Sequence, residues 1–483
     1  LKINDWLSLQ ARGNVDYIND KVRQQFYAST APALAGANGR YIEMDYQETQ
    51  YYGDAILMMK KQWDAFSLNA ALGASINDKT VNSTRYDSKT ASLKYANVFN
   101  LANIIMNGSA GLDQKIDARR QLQSLFATAQ LGYNEFVYLD LSARNDWSST
   151  LAYTSHEKSG FFYPSVGFSL IFNKLMTLPR WVSLAKIRGA YSMVGNDIPM
   201  FITNPSSHIT AGGEFLASDA APFKDMEPEM THSFEAGIEA RFLKNRIGLN
   251  ATFYKTNTRN QFFKLPTLSG DKYAYRYVNA GDIQNVGWEI SLDAVPLLTN
   301  HFKWKTEVNF STNRNKIISL HEALKEFLYG PTSFSSSYAM KLVKGDGNTV
   351  KVGNANPKLM LGWNHMLSYK NFSFYFLVDC RFGGDILSQT QADMDMYGVS
   401  EVTARARDKG YVMLEGNRID NVKGFYKNVV GGRAGVTEYY MYDATNLRLR
   451  EVSLNYTFPK KWMQKTKVLK DLQLAFVARN LCF

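Results

Sequence analysis

The chain has 483 residues, 45% hydrophobic and 20% charged, with a formal net charge of +11. That length fits two to four soluble domains or one very large barrel, and no apolar run approaches the roughly eighteen residues that a membrane-spanning helix needs. Lys and Arg are scattered rather than clustered, which argues against nucleic acid and for attraction to anionic lipid head groups or an anionic ligand.

The first predicted strand runs near Leu7 to Tyr17, with Leu7, Leu9, Ala11, Val15 and Tyr17 on one face and Ser8, Gln10, Arg12, Asn14 and Asp16 on the other. Side chains of an extended strand alternate between faces, so the pattern sets one face for an oily environment and the other for water. A long polar segment is expected to about Gln50. Residues 51–61 and 66–76 then read as a hairpin closed by Gln62-Trp63-Asp64. A second long segment follows, with turn-formers such as Asn107-Gly108.

The unit recurs along the chain. Residues 122–131 turn through Gly132-Tyr133-Asn134 into 136–145, where Val137, Leu139, Leu141 and Ala143 oppose Tyr138, Asp140, Ser142 and Arg144. Further hairpins are predicted at 162–172 with 182–194, and at 232–242 with 247–254 through Leu243-Lys244-Asn245. Then come 286–294 with 302–312 near Pro296, and 359–369 with 372–381 through Lys370-Asn371. The last pairs 447–458 with 472–479 across a Lys-rich turn. Long segments at 148–160, 195–231, 255–285, 313–358 and 382–446 separate these hairpins.

Apolar residues recur at i+2 and not at i+3 and i+4, so helix fits poorly. A soluble sandwich also alternates, but these strands exceed the usual five or six residues, and short and long connections alternate. The pattern is that of an all-β, antiparallel, up-and-down transmembrane β-barrel of about fifteen strands, with long extracellular loops and short periplasmic turns. The 28 Tyr, 29 Phe and 8 Trp supply its interfacial girdles. A lipid-facing Lys or Arg at mid-bilayer costs about 2–4 kcal/mol. His365, between Trp363 and Leu367, is therefore an exception on its apolar face. Arg448 and Arg450, in parity with Val452 and Leu454, are expected above the membrane. The chain begins at Leu1 without Met, almost directly in a strand, and stops at Phe483 just after one, which reads as a fragment.

No catalytic or metal-binding constellation stands out, and neither an enzyme activity nor a cofactor is expected. The histidines lie far apart, and His321-Glu322 lacks the second His of a zinc protease motif. Asp393-Met394-Asp395 reads as a solvated loop pair, and Gly431-Gly432-Arg433-Ala434-Gly435 as a flexible loop lacking the strand and helix of a phosphate loop. Cys380 and Cys482 read as unpaired packing residues. The inner-face candidates are Arg12, Asp140, Arg144, Arg188, Glu235, Glu239, Arg241, Glu289, Asp379 and Arg381. Their mixed charge suits either a hydrated wall or a lining that contacts a plug or a passing polar solute. Trp147, Tyr153 and Tyr397 are loop candidates for stacking on sugar rings or peptide side chains.

Several ordered segments resemble the SusC/RagA-type TonB-dependent outer-membrane transporters. They are Leu141-Ser142-Ala143-Arg144-Asn145-Asp146-Trp147-Ser148-Ser149-Thr150-Leu151, Phe162-Tyr163-Pro164-Ser165-Val166-Gly167 and Arg188-Gly189-Ala190-Tyr191-Ser192-Met193-Val194-Gly195-Asn196-Asp197. The stretches 278–289, 442–454 and Ala478-Arg479-Asn480-Leu481 complete the set.

The resemblance implies a barrel of about 22 strands around an N-terminal plug. It also implies import of oligosaccharides or peptides across the outer membrane, a SusD-like surface lipoprotein as lid, and energy from TonB acting through the plug. On that reading residues 1–483 are the C-terminal part of the barrel, without the plug and the first and last strands. The rival readings are a siderophore or cobalamin receptor of the same type, and a surface-binding barrel that transports nothing.

Overall fold

The computed structural model describes residues 1–89, 93–105, 111–209, 215–267, 271–279, 281–319, 341–343, 349–351, 353–414, 416–432, 435–463, 469 and 471–482. His321, Asn107-Gly108 and Arg433-Ala434 lie outside the described residues.

One antiparallel sheet of fifteen strands, each paired with its neighbours in sequence, dominates the fold. The strands are β1 (Leu7–Phe26), β2 (Arg40–Trp63), β3 (Phe66–Asp87), β4 (Gly111–Tyr133), β5 (Val137–Ser148), β6 (Phe161–Ile171), β7 (Val182–Asn196) and β8 (Glu229–Phe242). They continue as β9 (Ile247–Arg259), β10 (Asp282–Leu298), β11 (Phe302–Ser319), β12 (Leu359–Tyr369), β13 (Phe372–Phe382), β14 (Asn446–Thr457) and β15 (Gln473–Cys482). Strands β1 and β15 are the two edges; among the described residues no pairing joins them.

Shorter and longer connections alternate along the chain. Tight turns close β2–β3, β4–β5, β8–β9, β10–β11 and β12–β13, and a short helix, Phe172–Leu175, caps β6–β7. Left-handed residues make these reversals possible: Asn134 and Glu135 in one, Leu243, Lys244 and Asn245 in another, Lys370 in a third. At the tight-turn end the β14–β15 connection, residues 458–472, departs from the short pattern; the connections at the opposite end are longer than the turns beside them. Three of these loop groups carry hydrophobic clusters of their own: Tyr41, Leu93 and Ile104; Leu151, Phe161, Ile198, Ile202 and Met226; and eight residues around Phe425, Tyr426 and Tyr440.

The first strands depart from the sequence expectation. Apolar alternation fades near Tyr17, yet β1 runs on to Phe26 and β2 starts at Arg40, where a long polar segment is expected. Beyond the apolar zone both faces are wet, so the side-chain pattern disappears while the backbone ladder continues. Cross-strand ion pairs hold this extension, Lys21–Asp45 at 3.6 Å and Arg23–Glu43 at 3.7 Å, and Arg119–Asp78 at 2.5 Å ties the outer parts of β3 and β4. Two turns also shift by a residue or so, with Trp63 and Tyr133 still inside strands.

Candidate functional site

The sheet's register fixes its two faces, because directly paired residues of adjacent strands project to the same side. One row reads Trp63, Phe66, Tyr133, Val137, Leu170, Ile187, Ile238, Ala251, Ile290, Phe310, Leu361, Cys380 and Leu447. It crosses thirteen of the fifteen strands without a charge. It starts at the tight-turn end of β2 and finishes at the long-loop end of β14, as a row drawn across tilted strands must.

The neighbouring row, one residue along each strand, has the opposite character: Tyr138, Ser169, Arg188, Gly237, Thr252, Glu289, Ser311, Met360, Arg381 and Asn446. A second polar row joins Asp140, Gly167, Ala190, Glu235, Tyr254, Gly287 and Asn313. A third joins Lys186, Glu239, Asn250, Ser291, Asn309, Gly362, Asp379 and Arg448. A fourth joins Arg12, Asp54, Ser75, Ser124 and Asp146. Arg144 and Arg241 lie two residues from Asp146 and Glu239. The structure thus places all ten inner-face candidates on one side of the sheet.

Many of these charges have partners on the same face, some of opposite charge and some neutral. The Arg12 guanidinium donates to both Asp54 oxygens (2.8–3.2 Å), and Tyr52 donates to the same carboxylate at 2.8 Å. Arg144 donates to Ser124 at 2.6 Å and Asp146 at 2.7 Å, and lies over the Phe126 ring. Gln130 donates to Asp140 at 2.7 Å, and Arg188 donates to Thr252 at 2.5 Å and Asn250 at 3.1 Å. Arg241 sits 3.4 Å from Asp293. A cavity of about 950 Å³ opens on this face, lined in part by Met58, Lys60, Asn69, Thr128, Gln130 and Asp140.

Asp379 accepts from Arg448 at 2.8 Å and Arg450 at 3.0 Å. This corrects the parity argument for those arginines. A register shift at Leu377/Val378 inserts an extra residue in β14, so Leu447 and Leu449 take the apolar side and Arg448 faces Asp379. Sequence alternation counts residues and does not see a bulge.

Three glycines on the polar face are covered by neighbouring rings. A Cβ on Gly73 would meet Phe126, one on Gly132 would meet Tyr138, and one on Gly287 would lie 2.1 Å from the Thr312 carbonyl and 2.6 Å from the Tyr254 ring. Each ring fills the space that a Cβ at its glycine would take, which lets the side chain lie close to the backbone.

His365, the exception on the apolar face, is 6% exposed. Trp304, Trp363 and Phe376 enclose it, with ring centroids 4.4–6.0 Å away. The Trp304 indole N–H donates to Nδ1 at 3.1 Å, which sets a neutral imidazole with its proton on Nε2. The residue keeps its apolar parity without presenting a charge.

Among the loop candidates, Trp147 has apolar-face parity at the outer end of β5, and its indole donates to the Lys158 carbonyl at 3.0 Å. Tyr153 (70% exposed) and Tyr397 (73%) project from separate loops. Tyr397 ends helix α1 (Gln389–Met396), which precedes α2 (Glu401–Lys409). On α1, Asp393 accepts from Gln389, while buried Asp395 accepts from Gln391, Ser400 and Tyr440. Burial and that carboxylate push the Tyr440 phenol far above its ordinary range. The structure does not bring the three loop aromatics together.

Sequence reading missed another loop anchor. Asp197 accepts from Arg120, Ser148, Thr150 and the Ile198 N–H, tying β4, β5 and β7 together at their outer ends. Among the described residues no three His, Cys, Asp or Glu side chains converge as a metal site would require. The arrangement offers a long, charge-balanced polar surface backed by an apolar one.

A family model described as "TonB dependent receptor-like, beta-barrel" matches residues 2–481. TonB-dependent receptor P3 of Formosa agariphila is 22% identical over 520 residues, covering 95% of this chain and 50% of that protein. TonB-dependent receptor SusC of Bacteroides thetaiotaomicron is 21% identical over 416 residues, covering 72% of this chain and 40% of that protein. The RagAB peptide importer in its "open-open" state superposes with a TM-score of 0.76 at 19% identity, covering 100% of this chain and 56% of that one, a likeness of fold. The chain spans half or less of the length of the curated relatives it matches.

Proposed function

The chain belongs to the TonB-dependent receptor β-barrel family, and from that premise we propose that it is the C-terminal part of the barrel of an outer-membrane importer of the SusC/RagA kind. The observation that carries the reading is the pair of adjacent rows: an uncharged row across thirteen strands beside one that holds Arg188, Glu289 and Arg381. The uncharged side faces lipid, and the polar side lines the lumen. Long loops stand outside the cell, and tight turns face the periplasm.

Import needs a wet path that does not hold its cargo. Balanced charges such as Arg12 with Asp54 keep the wall hydrated without a strong net field. Glycines such as Gly73 and Gly287 let neighbouring rings lie close to the wall. In the whole protein a plug seats against this polar face and couples to TonB, and a SusD-like lipoprotein closes over the outer loops. The cargo is an oligosaccharide or a peptide, captured by loop side chains such as Tyr153 and Tyr397, which stay exposed. No residue here performs covalent chemistry.

The test uses the full-length protein with its surface lipoprotein. Uptake of labelled glycan and peptide panels is compared in cells with and without TonB. Saturable, TonB-dependent uptake of one class supports the reading. TonB-dependent uptake of a ferric chelate alone moves the protein to the siderophore receptors, and binding without uptake moves it to the surface-binding barrels.

A further inference from the structure

The apolar side carries an unbalanced basic patch. Going outward along β9, β10 and β11 from the belt row of Ala251, Ile290 and Phe310, the next row on that side pairs Phe253 with Trp288, and Trp288 with Thr312. The two rings lie tilted against each other with centroids 5.1 Å apart, and Trp288 is 49% exposed. An exposed Trp at the edge of an apolar belt marks the lipid–water boundary. The following row reads Lys255, Val286 and Arg314, and the one beyond it Asn257, Gln284 and Lys316. Each row rises about 7 Å along the strand, so these bases stand at the level of the outer head groups.

Elsewhere on the same side and above the belt, bases face acids. Arg119 meets Asp78, Lys21 meets Asp45, and Arg23 meets Glu43. Here the paired positions are Val286 and Gln284, and the acid farther out on this face, Asp282, is engaged by Arg259 and Asn257. Lys255, Arg314 and Lys316 are exposed, and among the described residues none has an acid partner.

We propose that Lys255, Arg314 and Lys316 form a docking surface for phosphate-bearing lipid head groups of the outer leaflet. The inference rests on the reading that the apolar side faces lipid. The chemistry follows from three cations held on adjacent strands just above an aromatic boundary: flexible ammonium groups and one forked guanidinium reach phosphate oxygens, while Trp288 and Phe253 pack on the upper acyl chains. Sugar ligands would not need this charge, and a protein partner would have to sit in the bilayer plane.

The experiment reconstitutes the full-length barrel in nanodiscs of phosphatidylcholine, with or without a diphosphorylated glycolipid, and titrates that glycolipid by fluorescence transfer. Wild type should bind it well above the zwitterionic lipid. Lys255→Gln/Arg314→Gln/Lys316→Gln should weaken binding on the order of 100-fold, while the control Lys370→Gln at an inner turn leaves it unchanged. Equal affinity for both lipids, or an unaffected triple variant, overturns the proposal. So does full competition by millimolar inorganic phosphate, which would make the patch a site for free anion. Brominated acyl chains separate this failure from failure of the orientation. If quenching differs between wild type and Trp288→Phe but the glycolipid shows no preference, the face meets lipid and the patch is idle. If quenching does not differ, the orientation itself is wrong.

Discussion

Gly287 shows how little room a single position of this wall allows. The Thr312 carbonyl, a backbone atom that cannot swing away, would lie 2.1 Å from an added Cβ. Gly287→Ala should therefore destabilise the barrel by about 1–3 kcal/mol. The check is the temperature at which the folded, fast-migrating band of the full-length protein is lost on electrophoresis; an unchanged transition would mean that β10 and β11 move apart freely. Asp87, at the outer end of β3 and beyond the apolar belt, gives a second residue-scale prediction. Burial pushes its carboxyl up, but the Arg40 guanidinium, the Lys89 N–H and Arg85 outweigh that and hold it below the usual range. A depressed carboxylate contributes stability that is complete above the unfolded value, near 4, and is lost as pH falls through the folded one. Hydrogen exchange of residues 93–105 should stay slow at pH 7 and accelerate as pH falls below about 4. In Asp87→Asn that acid step should be missing.

At the scale of elements, the strands were readable wherever one face is apolar and the other polar, because an extended chain alternates its side chains with a period of two. Leu141 and Ser142 illustrate the contrast. Leu141 pairs with Val166 and Ala129 on the apolar side, Ser142 with Ser165 and Thr128 on the polar one. Leu141→Arg should cost about 2–4 kcal/mol and Ser142→Arg less than about 1 kcal/mol. Urea unfolding of the full-length barrel in lipid vesicles measures both, and equal costs would remove the distinction between faces.

What the sequence hid follows the same physics. The outer halves of β1 to β4 are polar on both faces, so no alternation marks them and their residues read as loop. The bulge near Arg450 changes parity without changing composition. Asp54, Asp293 and Asp197 were missed as partners because pairing depends on register, and register is not visible in one strand alone. The ten lumen candidates needed only parity, and the structure sets them on one face. The loop aromatics needed a tertiary fold of long segments, and there the sequence carried no such signal.

For the whole molecule, the account comes down to which side of the sheet meets lipid. Charge balance, ring-covered glycines and folded outer loops all take their meaning from that orientation, and so does the basic patch on β9 to β11. Single cysteines placed in turn at positions 137–142 of the full-length protein, in a Cys380→Ser/Cys482→Ser background, test it most directly. Each is probed in intact outer membranes with a small hydrophilic maleimide, and as a bimane adduct with a quencher carried on lipid chains. The account predicts strict alternation: maleimide reaches positions 138, 140 and 142, and the lipid quencher reaches 137, 139 and 141. The reverse phase, or no alternation, would contradict it.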